Sequence, residues 1–246
     1  MNTAKWNTDD VARHWRRAGV NHVGVHGSRT AVRIEELIAR TTVLGRRDPR
    51  LIHGMVAWIA RFGDLLNISL LRKAVSSSDG AVLGAVLESA VGAGGDPRLS
   101  RVLRACRPKA EPELMFPHAG RFPSVRLQAL TAGDAICAKW NVCCVEMPVK
   151  SDILFGREYV LKHNPELRRR ALLGCNMKSA ILELLLQRGA ATITEIMKAT
   201  GFRYPAIHHE VSILTRDFFL DATKQGRKRV LRLRPSIRDY LSSVPT

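Results

Sequence analysis

Long apolar runs are missing from this 246-residue chain. None approaches the ~20 residues that span a bilayer, so the sequence predicts no transmembrane helix. Residues 1–17 are polar, carry Trp6 and Trp15, and lack an apolar leader core, so no signal peptide is read there. Cysteine is scarce and unpatterned. Cys106, Cys137, Cys143, Cys144 and Cys175 are an odd number with no CxxC pair, which fits free thiols in a reducing cytoplasm. No Cys or His pair has structural-zinc spacing; His14, His22, His26 and His53 read as ordinary polar residues. Neither a metal nor a cofactor is expected. Acid is also short: 22 Asp and Glu stand against 39 Lys and Arg, giving a formal net charge of +17. That excess points to a polyanionic partner, nucleic acid ahead of an anionic membrane surface, although an Arg-rich composition alone also yields a basic protein.

With 46% hydrophobic and 25% charged residues, the chain has the composition of a globular protein that buries one large core or two smaller ones. Asn7 or Thr8 is placed to cap a first helix, with Val11, Trp15 and Ala18 on one face. Ile34, Leu37, Ile38 and Thr41 form the stripe of a second, ended by Gly45. A third runs from Asp48 and Pro49 to Phe62 with Leu51, Ile52, Met55, Val56 and Ile59 inward, and others cover 65–75 and 81–91. Gly45, Asp48 and Pro49 are echoed 48 residues on near Asp96 and Pro97, the spacing of a HEAT-type repeat or simply a reused helix start.

Four prolines between 107 and 123 exclude regular structure and mark a linker. Residues 125–130 and 135–147 are rich enough in β-branched and aromatic side chains to predict short strands. Asn164, Pro165 and Glu166 then open a helix. The domains expected are 1–106, helical, for dimerisation or binding a protein partner; 107–163, a proline-rich linker and mixed connector; and 164–246.

The last domain is the most legible. A helix over 177–188 buries Ile181, Leu184 and Leu185 and stops at Gly189. Thr192 and Glu195 form a capping box for a second helix that buries Ile196, with Ile193 and Met197 beside it. Gly201 suits a tight turn, and Pro205 starts a third helix with Ile207, Val211 and Leu214 inward. Outward on it lie Arg203, Tyr204, Ala206, His208, His209, Ser212 and Arg216, side chains that suit base edges, while Glu210 would repel phosphate. Phe218, Phe219 and Leu220 read as a return to the core. A hairpin follows, its turn spanning Lys224, Gln225, Gly226 and Arg227; six basic residues and no acid lie between 224 and 234. Such a run is commonly only solvated surface, but beside three helices of this kind it reads as a phosphate grip.

On residues 181–186, Thr192 to Ile196, Thr200 and Gly201, the Ile207, Val211 and Leu214 stripe and the Gly226 hairpin, the chain resembles winged-helix regulators of the ArsR and MarR type. The resemblance, confined to 176–234, implies a dimeric repressor whose third helix, starting near Tyr204, reads the major groove. This domain has no cysteine pair on a helix, so metal sensing is not carried over. The fold class expected is mainly α: a helical N-terminal domain, a short mixed connector and a C-terminal winged helix-turn-helix with a β-hairpin wing.

The function expected is sequence-specific binding of double-stranded DNA by a cytoplasmic homodimer that regulates transcription. Arg203, Tyr204, His208, His209, Ser212 and Arg216 are the candidates for bases and nearby phosphates; Lys224, Arg227, Lys228 and Arg229 are those for phosphates alone. The alternatives are a plasmid replication or partition protein, favoured by a second winged helix within 30–106, and a protein-interaction module of a toxin or defence system. No catalytic residues are expected. Residues 25–29 (Val, His, Gly, Ser, Arg) faintly resemble a nucleotidyltransferase opening, but Glu35 and Glu36 are adjacent on a helix and point apart.

Overall fold

The computed structural model describes residues 6–21, 32–226 and 228–243; His22, residues 25–29 and Arg227 fall outside that set. The described residues are mainly helical, with two small sheets among them, and the chain's contacts divide it into two compact units, Met1–Asn164 and Pro165–Thr246.

In the first unit α1 (Thr8–Ala18), α2 (Ile34–Leu44), α3 (Pro49–Phe62), α4 (Ile68–Ala74), α5 (Gly80–Gly92) and α6 (Ser100–Leu103) precede β1 (Glu113–Leu114). Then come α7 (Pro123–Ala132), α8 (Ala135–Lys139), β2 (Val142–Cys143) and α9 (Arg157–His163). Asn7, Asp48, Asn67, Asp79 and Asp134 each cap a helix through a side-chain oxygen, satisfying first-turn amides that would otherwise lack a partner. α3 is buried on most sides, and its Trp58 packs against Trp15 with ring centroids 6.0 Å apart. Both indoles are satisfied inside the core. Trp15 Nε1 donates to Thr41 Oγ1 at 2.8 Å, and Trp58 Nε1 donates to the Ala18 carbonyl at 2.8 Å.

Residues 107–163, expected to form a linker and connector, lie within this unit. Arg46 on the turn after α2 donates to the carbonyls of Met115 and Leu114 at 2.9 and 2.7 Å. Trp140 lies against α5 where Gly84 leaves no Cβ, which would sit 2.4 Å from the ring, and its Nε1 donates to Glu88 at 2.7 Å. The expectation that the prolines exclude regular structure is corrected here: between Pro112 and Pro117, β1 pairs with β2 in parallel, Glu113 opposite Val142 and Leu114 opposite Cys143, because none of the four prolines falls on a paired position. The predicted strands over 125–130 and 135–147 are corrected to α7, α8 and the two-residue β2. Pro123 at the first turn and the Asp134 cap outweigh β propensity there.

The echo between Asp48 and Asp96 is a shared cap and nothing longer. Each carboxylate accepts from the amide two residues on and pairs with that arginine; one opens a 14-residue helix, the other a three-residue 3-10 turn. Glu35 and Glu36 do point apart: Glu35 is buried and accepts the Asn67 amide, and Glu36 pairs with Arg40. The five cysteines are free thiols, four of them buried. Cys144 reaches the Cys137 sulfur, 3.1 Å away.

The second unit begins with α10 (Pro165–Leu173) and α11 (Met177–Arg188), followed by β3 (Ala191–Thr192) and α12 (Ile193–Thr200). α13 (Tyr204–Arg216), β4 (Leu220–Gln225), β5 (Lys228–Leu233) and α14 (Pro235–Ser243) complete it. Its three-stranded antiparallel sheet has the order β3-β5-β4. α11 sits at the centre, buried on most sides, and one core joins Ile181, Leu185, Ile196, Ile207, Val211, Leu214, Leu220, Leu231 and Leu241. α10 and α14 are tied to α11 by a buried ion pair: Arg169 grips Glu183 with two hydrogen bonds of 2.7 Å and also reaches the Leu241 carbonyl. Among the described residues no helix is long and apolar enough to cross a membrane, and no group of acidic, Cys and His residues is arranged to hold a metal.

Candidate nucleic-acid interface

The candidate helix is α13, and its placement follows from the ends of α12. Thr192 and Glu195 form the expected capping box. The Thr192 amide, and then its hydroxyl, hold the Glu195 carboxyl below the usual range. Gly201 ends α12 in the left-handed region at φ +78°, a conformation that carries no steric cost without a Cβ. Only residues 201–203 separate α12 from α13, so the two helices meet at a tight turn.

α13 turns Ile207, Val211 and Leu214 into the core at 0% exposure. This fixes the opposite face, because side chains four and three apart share a side of a helix. Arg203, Tyr204, Ala206, His208, His209, Ser212 and Arg216 are all exposed, as the periodicity predicts. Tyr204 and His208, one turn apart, stack with centroids 6.1 Å apart. Two members are partly engaged already. The Ser212 hydroxyl donates to the His208 carbonyl at 2.8 Å, leaving its oxygen to accept. Arg216 Nε donates to Asp217 at 2.9 Å, which holds the guanidinium above its usual pKa and leaves its outer nitrogens to donate elsewhere. Glu210 is half-buried rather than fully presented.

The hairpin is tighter than the sequence predicts. Lys224 and Gln225 belong to β4, opposite Arg229 and Lys228, so only two positions separate the paired strands, and the first of them, Gly226, stands at φ +59°. Side chains alternate along a strand, so Arg229 shares a face with Leu231 and Leu233, while Lys228 and Arg232 lie on the other. Lys224 and Arg229 therefore stand opposite each other on the face that the core occupies further down, beyond its reach, and both are exposed. Like charges directly opposed across a strand pair destabilise it. Neither has an ion pair among the described residues. Lys228 is less isolated, since its charge helps to lower the Glu195 carboxyl.

Phe218 is a correction. It was expected in the core and is 65% exposed, because it adopts φ +62° in the turn from α13 to β4; Leu220 takes the core position instead. Arg234 lies over its ring at 4.7 Å and pairs with Asp221 at 2.9 Å. Arg232, exposed near the end of β5 and opposite Asp221 in the register, was absent from the candidates; the period-2 alternation that puts Leu231 and Leu233 inward marks it as outward. Arg227 falls outside the described residues.

No family model, curated protein or solved structure matches the chain.

Proposed function

We propose that the chain binds double-stranded DNA and regulates transcription, most simply as a repressor, through a winged helix-turn-helix in its second unit. In this reading α12 and α13 are the helix-turn-helix, α13 enters the major groove, and the β4–β5 hairpin is the wing against the phosphates. The observation that carries it is the opposition of Lys224 to Arg229 at the hairpin tip, exposed and without carboxylate partners. A protein keeps such a destabilising pair where an external polyanion offsets the repulsion. The polar face of α13, with arginine, imidazole, hydroxyl and phenol groups, supplies donors and acceptors of the kinds that read base edges. Two copies reading two half-sites would bring a single modest module into the affinity range of specific regulators, so the reading includes a homodimer in the cytoplasm.

A second winged helix within 30–106 would favour the replication or partition alternative. The described residues of that segment form helices and no strand pair. The test is selection of bound fragments from a pool of random-sequence duplexes by the full-length chain, with its mass measured in solution. Enrichment of a motif with two similar halves, bound by a dimer, supports the proposal. A pool that stays random after repeated rounds contradicts it.

A further inference from the structure

Two stretches of the first unit carry cations and no acid. Residues 65–78 contain Arg72 and Lys73; residues 97–110 contain Arg98, Arg101, Arg104, Arg107 and Lys109. The fold packs these stretches together where α4 meets α6. There Arg72, Arg101 and Arg104 line one open concavity of about 600 Å³ with Val75, Ser76 and Ala105. All three arginines are exposed, and none has a hydrogen bond or ion pair to its guanidinium among the described residues.

Ion pairing is common elsewhere in this unit: Arg13, Arg40, Arg46, Arg50, Arg98 and Arg157 each hold a carboxylate at 2.6–3.3 Å. The cations bordering the groove are engaged as well. Arg98 pairs with Asp96, Lys109 with Asp79, and Arg107 donates to the carbonyls of Arg104 and Cys106. The three arginines that line the groove have neither a carboxylate nor a carbonyl partner among the described residues. Like charges lining one concavity repel, and the apolar Val75 and Ala105 beside them screen that repulsion little.

We infer that the α4–α6 groove is a phosphate-binding surface of the first unit, which holds the backbone of a nucleic acid. Guanidinium forks match phosphate oxygens in pairs, and three of them spread over two helices suit a line of anions better than a single one. The inference extends the duplex-binding reading and takes the identity of the polymer from it.

The test compares the full-length chain with R72Q/R101Q/R104Q and with K224A/R229A, on a labelled duplex of about 30 base pairs between ~50 and ~200 mM KCl. Three lost phosphate contacts lower the slope of log K against log salt by about 2.7, so the parent's affinity falls roughly 40-fold more than the variant's across that range. Circular dichroism checks folding, and R72K/R101K/R104K, which keeps the charge, should retain most of the parent slope. A slope unchanged by the glutamine variant overturns the inference, and if K224A/R229A still lowers it, the wing reading stands alone. A slope lowered only by the groove variant keeps the inference and sinks the wing. Loss of binding to phosphatidylserine vesicles with duplex binding intact also overturns it, since the groove would then serve a membrane.

Discussion

Glu183 and Arg169 offer the sharpest test of how the second unit is held together. Their side chains are only 10% and 14% exposed and meet through two 2.7 Å hydrogen bonds. The cavity beside them has about 10 Å³, at or below the ~10–15 Å³ that one water needs, so solvent is poorly placed to replace a missing partner. Glu183→Leu strands a guanidinium and Arg169→Met strands a carboxylate. Breaking such a pair from one side costs about 3 kcal/mol, the low end of the usual range because both groups keep a little exposure. A unit of about 80 residues has roughly 4–12 kcal/mol of stability, so either single variant removes a large share of it. The double variant replaces both charges with apolar volume and should lie within about 1 kcal/mol of the parent. Native-state hydrogen exchange reads this locally. Protection of α11 amides should drop by about two powers of ten in each single variant and recover in the double, while α3 amides do not change. If the single variants match the parent, or the double is as weak as the singles, the pair does not act this way.

At the hairpin tip, K224A/R229A should lower the salt slope of duplex binding by about 1.8, two contacts at ~0.9 each, and K228A alone by less, because Lys228 already interacts with Glu195; equal slopes for all three would contradict the facial assignment. His209→Ala should cut discrimination at one base pair by roughly 5- to 150-fold with little loss of nonspecific affinity, and Ser212→Ala should do less, since its hydroxyl proton is committed to the His208 carbonyl. Uniform weakening on every duplex would mean that His209 touches only phosphate. His14 is almost fully buried, and burial depresses its pKa below the ordinary value. Below about pH 6.5 the unfolded chain takes a proton that the folded one refuses, so stability falls as pH drops, and urea titrations of His14→Leu should show a flatter profile over that range. Ellman's reagent should react first with Cys175, the half-exposed thiol. The buried four should lag until denaturant exposes them, with Cys106 pushed up to about 11 by burial and Cys137 raised by the neighbouring Cys144 thiol and by burial.

The second unit was legible because several local signals agreed there. The Thr192–Glu195 box, Gly201 and the Ile207, Val211, Leu214 stripe each specify the same helix boundaries, and no long-range contact has to override them. Residues 107–163 were harder because opposing signals met. Proline density spoke against order, while their order comes from Arg46, Gly84 and Glu88, far away in sequence. Phe218 misled for a related reason: three apolar residues in a row cannot all face one side, and the positive φ that turns the first one out leaves no periodic trace. The pairing of Lys224 with Arg229 depended on the length of the loop, which four turn-compatible residues left open. The α4–α6 groove was readable only as two acid-free stretches; their meeting is a property of the fold.

The central claim is that α13 lies in the major groove. Methylation interference on a selected duplex tests it most directly, because the guanine N7 lies on the major-groove edge. Methyl groups at guanines under the footprint should abolish binding by the full-length chain, and a minor-groove ligand should fail to displace it. Binding that tolerates N7 methylation throughout the site, and yields to the minor-groove ligand, would contradict the account.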